Sequence, residues 1–301
     1  MMKLTLQQLK YAVEVADKGT ITDAARELFI SQPSLTNQIK ALEKEMKINI
    51  FTRTNKGIVL SKEGEIFLGY ARQVLEQANM LEEKYKGTNT GKQQFCVSTQ
   101  HYSFAVNAFV ELIEKCGGDK YDFSLRETTT YEIIEDTASL KSEIGILFIN
   151  DFNEPAIKKL LDENYLEFTE LFKAEPHIFV SKQNPLAKKA CVTMEELEPY
   201  PYLCYEQGEH NSFYFAEEMF IEASHGKTIR LRDRATLFNL LIGLNGYTVC
   251  SGVIDKKLNG ENIVSVPLDV SSFMRVGYIK HKRSVLSRLG EIYIESIKKY
   301  I

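Results

Sequence analysis

Gln32, Ser34, Thr36, Asn37 and Lys40 crowd one short stretch, and their side chains are amides, hydroxyls and one ammonium. Such groups make poor general acids or bases at neutral pH, but they hydrogen-bond to base edges and hold phosphates. Leu35, Ile39, Leu42 and Met46 run through the same stretch at steps of four, three and four, so a helix here buries one face and turns the polar set outward. Ser31 is the expected cap, and Pro33 is tolerated because it falls in the first turn. The chemistry this predicts is nucleic-acid contact by Ser31, Gln32, Pro33, Ser34, Thr36, Asn37 and Lys40. Arg53 and Lys56, around an Asn-Lys-Gly turn within residues 50–60, place two cations at the tip of an expected β-hairpin, where they reach phosphates or a minor groove.

The elements that must position these groups are legible nearby. Leu6, Leu9, Val13 and Ala16 predict a first helix stopped at Gly19; Thr22 is the expected cap of a second, with Ala24, Ala25 and Leu28 as its small apolar face. Two short helices before a polar-fronted third form a helix-turn-helix, and the hairpin is its wing. Ser61 opens a long helix in which Phe67, Ala71, Val74, Ala78, Leu81 and Tyr85 repeat every seven residues, a seam that favours pairing with a second chain. Charge agrees with this layout. Residues 1–87 carry 13 Lys and Arg against 11 Asp and Glu, whereas residues 88–301 carry 24 against 30, within a formal net charge of −4.

Ala24-Ala25-Arg26-Glu27-Leu28, Ser31 to Ile39, Leu42-Glu43, Phe51-x-Arg53 and Leu60-Ser61-x-x-Gly64 together resemble the signature of LysR-type transcriptional regulators across residues 4–86. Asn37 stands where many relatives carry Arg. The resemblance implies a winged helix-turn-helix at 1–60, a linker and dimerisation helix at 61–87 and an effector-binding domain at 92–301. It also implies double-stranded operator DNA, a small-molecule effector and a second copy of the chain, as homodimer or homotetramer, as partners.

Beyond the polar stretch 88–94, candidate strands alternate with helical stretches, which predicts parallel α/β sheets. The overall class is α/β with an all-α winged N-terminal part, and the resemblance implies a C-terminal domain similar to periplasmic binding proteins. Its two subdomains are expected at about 92–165 with 268–301, and at about 166–267. Ligands in such sheets sit beyond the carboxyl ends of strands. Ser98, Thr99, Gln100 and His101, then Thr128 and Thr129, and across from them Tyr205, Glu206 and Thr248, are the candidate effector contacts. Their hydroxyls and amides favour an anion or carboxylate, with helix capping as the alternative use of the same groups.

Other chemistries find little support. Cys96, Cys116, Cys191, Cys204 and Cys250 form no CxxC, and the five histidines are too dispersed for a metal set, so neither a metal nor a cofactor is expected. No GxSxG, P-loop or GxGxxG occurs, which argues against an enzyme with a DNA-binding tail. A redox sensor built on Cys204 and Cys250 is the main alternative, although neither has an adjacent Lys or Arg to lower its pKa. A polar start and the lack of a long apolar run predict a cytoplasmic protein that does not enter the membrane.

Overall fold

The computed structural model describes residues 4–54, 57–86, 93–118, 120–223, 225–255 and 259–301. The chain divides into two compact units, one of Met1–Gly91 with Ser139–Lys141, the other of Lys92–Ala138 with Ser142–Ile301.

In the first unit, α1 (Leu6–Lys18) opens with a reciprocal capping box between Thr5 and Gln8 and ends at Gly19, whose φ of 70° suits a residue without Cβ. The cap of α2 (Ile21–Glu27) is Thr20, which accepts from the Asp23 amide, and not the expected Thr22. The turn into the helix therefore comes two residues earlier, directly after Gly19. α3 (Gln32–Met46) starts at Ser31, which accepts from the Ser34 amide, and buries Leu35, Ile39 and Leu42 against Ala12, Val15, Ala24 and Ala25. β1 (Phe51–Thr54) and β2 (Gly57–Leu60) pair antiparallel from Phe51↔Leu60 to Thr54↔Gly57. The Glu43 carboxylate of α3 accepts the amides of Ile50 and Phe51 at 2.9 and 3.1 Å, which fixes the wing to the third helix.

α4 (Lys62–Lys86) follows, with Ser61 accepting the Gly64 amide at 2.8 Å. A side chain at Gly64 would collide with the Ile50 carbonyl, so glycine is what lets this helix start against the wing. Of the seven-residue seam, Ala71 packs inside the unit, whereas Val74 and Leu81 are 45% and 61% exposed.

The second unit holds two five-stranded sheets. The first lobe orders β4 (Tyr121–Glu127), β3 (Gln93–Thr99), β5 (Ile144–Ile149), β12 (Met274–His281) and β6 (Leu166–Ala174). The second orders β11 (Ile263–Pro267), β7 (His177–Ser181), β10 (Tyr247–Cys250), β8 (Tyr202–Tyr205) and β9 (Thr228–Leu231). Two expectations are corrected here. The sheets are mixed rather than parallel: β12 runs antiparallel to β5 and β6, and β7 antiparallel to β10 and β11. The subdomain break expected at 165/166 lies between Ala174 and His177, because β6 completes the first sheet by pairing with the whole of β12. The chain returns between β11 and β12, so the first lobe is completed by a strand from beyond the second.

Helices α5 (Ser103–Cys116) and α6 (Thr130–Ala138) start at the carboxyl ends of β3 and β4, α7 (Glu154–Glu163) follows β5, the short α8 (Met194–Leu197) precedes β8, and α9 (Arg234–Leu244) starts after β9, as α/β crossovers require. In the second lobe the Asn184 side-chain amide donates to the Asn245 carbonyl at 3.1 Å while its oxygen caps Leu186, joining the turn before Pro185 to the left-handed residue that ends α9. No helix among the described residues is long and apolar enough to cross a membrane.

Candidate nucleic-acid interface and ligand cleft

On α3 the buried stripe leaves Ser31, Gln32, Pro33, Ser34, Asn37 and Lys40 exposed and Thr36 half-buried on the opposite side. Apart from Ser31, whose hydroxyl caps the helix, this face is available to meet a major groove. Arg53 lies on β1 opposite Ile58; its side chain, and Lys56 altogether, are outside the described residues. Phe29, in the turn before α3, is 96% exposed with φ of 54° and was not singled out by the sequence.

In the second unit, the first-lobe residues expected to hold a ligand are turned inward. Ser98 donates to Asp136 at 2.8 Å and meets Ser142 at 2.7 Å. The Thr99 hydroxyl donates to the Gln100 carbonyl at 2.7 Å. Gln100 donates to Thr130 at 2.6 Å, and its oxygen receives Tyr102 and the Phe148 amide. All three are fully buried, and their polar atoms serve the lobe itself. Thr129 accepts the Glu132 amide as a helix cap, and Thr128 donates to the Glu132 carboxylate. Thr248 is buried on β10.

His101 is different, because it joins the two lobes. Its backbone amide and Nδ1 both face Glu217 Oε2, at 2.9 and 2.8 Å, and its Nε2 lies 3.2 Å from the Arg232 carbonyl. Tyr205 stacks on the ring, with centroids 3.9 Å apart and planes at 7°. Burial alone would lower the His101 pKa, but Glu217, then Glu127 and the Arg232 carbonyl, raise it above the usual histidine value. With acceptors at both ring nitrogens, imidazolium fits this place. Glu217 also receives Gln207 Nε2 at 3.3 Å, and Gln207 Oε1 in turn accepts the Thr130 amide at 3.1 Å. Arg234, at the start of α9, lies 3.0 Å from Glu127 at the end of β4. Glu206 pairs with Arg232 within the second lobe.

The backbone amide of His101, one of the candidate effector contacts, is thus held by a carboxylate of the protein. Sequence reasoning found His101 and Tyr205 but missed Glu217, Glu127 and Arg234. The available signal was Glu217-Glu218 set between Phe215-Ala216 and Met219-Phe220, two carboxylates inside an apolar run.

Glu217 and Glu218 are both buried, and Glu218 is only 3% exposed. One of its oxygens receives the Tyr205 amide at 2.9 Å; the other, Oε2, has no hydrogen-bond partner. Burial, with Glu217 beside it, pushes the Glu218 carboxyl far above the usual range. Cys204 and Cys250 are free. Burial pushes the Cys204 thiol up to about 12 and the Cys250 thiol higher still, with Glu218 adding to both. Thiols so placed are weak nucleophiles, which opposes the redox alternative.

Comparison with known proteins agrees with the architecture. Residues 6–65 match the family model described as the bacterial regulatory helix-turn-helix protein, lysR family. The transcriptional regulator AlsR of Bacillus subtilis is 28% identical over 245 residues, covering 80% of this chain and 77% of its own. A full-length OxyR variant from Pseudomonas aeruginosa has the same fold, with a TM-score of 0.66 at 20% identity over 99% of this chain and 96% of that one. CbnR, described as a LysR family transcriptional regulator, superposes with a TM-score of 0.54 at 16% identity, covering 99% of each chain. Residues 6–65, with the exposed polar face of α3 and its wing, thus carry a helix-turn-helix of the bacterial lysR family, and the chain with its two α/β lobes is similar over most of its length to transcriptional regulators of that family.

Proposed function

We propose that this regulator binds its operator as an oligomer and is gated by a small molecule acting between the two lobes of its second unit. The division of labour is residues 1–60 for DNA contact, 61–87 for self-association and 92–301 for effector response. The observation that carries this reading is the junction itself. His101, Glu127 and Thr130 of the first lobe meet Glu217, Arg234 and Gln207 of the second through charged or directional bonds. Polar contacts of this kind exchange readily for ligand contacts, so a molecule that enters shifts the population between two lobe arrangements.

The exposed seam residues Val74 and Leu81 support self-association through α4, since large apolar side chains repeated along one helix favour burial against another. Gln32, Ser34, Thr36 and Asn37 supply base readout, with Lys40, Arg53 and Lys56 on phosphates. An anionic effector at the His101 amide would have to displace Glu217 from three donors. The neutral hydroxyls that suggested an anion are already engaged within the lobe.

The test is operator affinity of the full chain, measured on DNA selected by the protein from genomic fragments, with and without metabolites that raise its melting temperature. Saturating ligand at a hundredfold over its dissociation constant raises stability by about 2.7 kcal/mol. Ligands that stabilise the protein yet leave operator affinity unchanged would remove the gating reading.

A further inference from the structure

Beside the lobe junction lies a cavity of about 150 Å³, between the end of β5 and the segment that carries Glu218. Phe148, Phe152, Phe213 and Phe220 line it, and Asp151, Glu218 and Glu222 add carboxylates. No Lys, Arg or His is among the described residues that line it. The geometry points to this cavity as the binding site of a small organic cation, an ammonium on a short apolar body, with Glu218 as its counter-ion.

Three independent features carry the inference. Glu218 is nine-tenths or more buried, and its Oε2 has no partner in the protein, an arrangement that is costly unless something else completes it. The titratable groups around it leave no positive charge for it: Glu217 on its own segment, Tyr202, Cys204 and Tyr205 on β8, Cys250 on β10 and Tyr102 before α5 are all acids, His101 is engaged by Glu217, and His225 by the Tyr247 hydroxyl and the Phe220 carbonyl. The third is the wall material. Aromatic faces attract cations through their quadrupole, and they repel anions for the same reason. A carboxylate ligand would meet three carboxylates here, whereas an ammonium would meet three partners and two exposed rings, Phe152 and Phe213.

Burial, and then Glu217, both favour the neutral form of Glu218. An entering ammonium reverses that preference. The proton leaves Glu218 for solvent, and the carboxylate pairs with the ligand, so binding releases a proton and weakens as pH falls. The volume suits a molecule of a few heavy atoms, given that one water occupies about 30 Å³ of liquid. This deepens the effector reading by naming the ligand's chemistry, and it rests on that reading only for the regulatory consequence.

The experiment uses the full chain with three matched probes: butylammonium, butyrate and 1-butanol. Ligand-detected NMR and calorimetry should show butylammonium binding at least tenfold more tightly than either of the others. Its heat of binding should depend on the buffer's ionisation heat, the mark of a released proton. Glu218→Gln keeps the shape and the bond from Tyr205 and should erase the preference for the cation. If that variant does not fold, Glu222→Gln and Phe152→Ala, both at exposed positions, should each weaken butylammonium several-fold while leaving 1-butanol unchanged. Equal binding of the three probes, no detectable binding of butylammonium, or an unchanged preference in Glu218→Gln would overturn the assignment. Butylammonium binding with operator affinity unaltered would leave the site standing and remove the gating reading instead.

Discussion

His101 shows how much one side chain can decide. It is buried between two lobes, bonded at both ring nitrogens, and its pKa is raised above 6.5 by Glu217 despite the opposing effect of burial. A histidine whose folded pKa exceeds its unfolded one stabilises the protein fully below about pH 6.5, and that contribution disappears as pH climbs through the folded value. His101→Gln should therefore cost about 1.5–3 kcal/mol on the acid side and distinctly less at alkaline pH. Denaturant unfolding of both proteins across that range measures the difference; a cost independent of pH would mean that the ring is neutral in the folded state. On α3 the scale is the same but the readout is DNA. Gln32→Ala should relax base preference at one position of each half-site by about 1–3 kcal/mol, whereas Arg53→Ala should weaken all sequences alike and flatten the salt dependence. Equal losses for Gln32→Ala on operator and random DNA, measured by competition, would place Gln32 off the base edges.

Among the elements, α4 invites the most direct perturbation. Ala71 of its seam is spent inside the first unit, but Val74 and Leu81 remain open, so Glu at both should leave the unit's fold intact. Within a paired seam the same carboxylates would be buried unpaired, which is too costly to persist. The double variant should sediment as a monomer with an unchanged helix signal and should lose tight operator binding, because two half-sites are no longer held by one particle. Sedimentation as a dimer would assign self-association to the second unit. The helices of the first unit were legible because their signals are local: three- and four-residue spacing, a cap, a glycine. β6 and β12 were not. β12 shifts the phase of its alternation at a bulge between Val276 and Gly277, so Met274 and Val276, then Gly277 and Ile279, are buried and no single period of two runs through the strand. β6, at the sheet edge, alternates only weakly and reads as polar. The cleft was harder still. The strand ends could be found one at a time, but Glu217 reaches His101 from 116 residues away, and nothing local announces such a meeting.

For the molecule as a whole, the bonds of the lobe junction and the DNA-reading face belong to separate units, so gating requires one equilibrium that both ligands bias. Thermodynamic linkage makes this a strict test. If an effector changes operator affinity by some factor, operator must change effector affinity by the same factor, and couplings of this sort usually amount to about 5- to 150-fold. Glu217→Gln removes the charge that binds the lobes at His101 while keeping most of its shape, and it should move the unliganded protein along that equilibrium. The expected result is an operator affinity in the variant shifted toward the effector-bound value of the parent, with a correspondingly smaller further response to effector. The measurement is operator affinity by fluorescence anisotropy for both proteins, with and without a stabilising ligand, and effector affinity with and without operator. Factors of one in both directions, or a Glu217→Gln response identical to the parent's, would show that the junction does not report to the DNA-binding unit. Equal factors with a diminished response would place the regulatory equilibrium at the contact where the buried Glu217 carboxylate sits on the His101 amide.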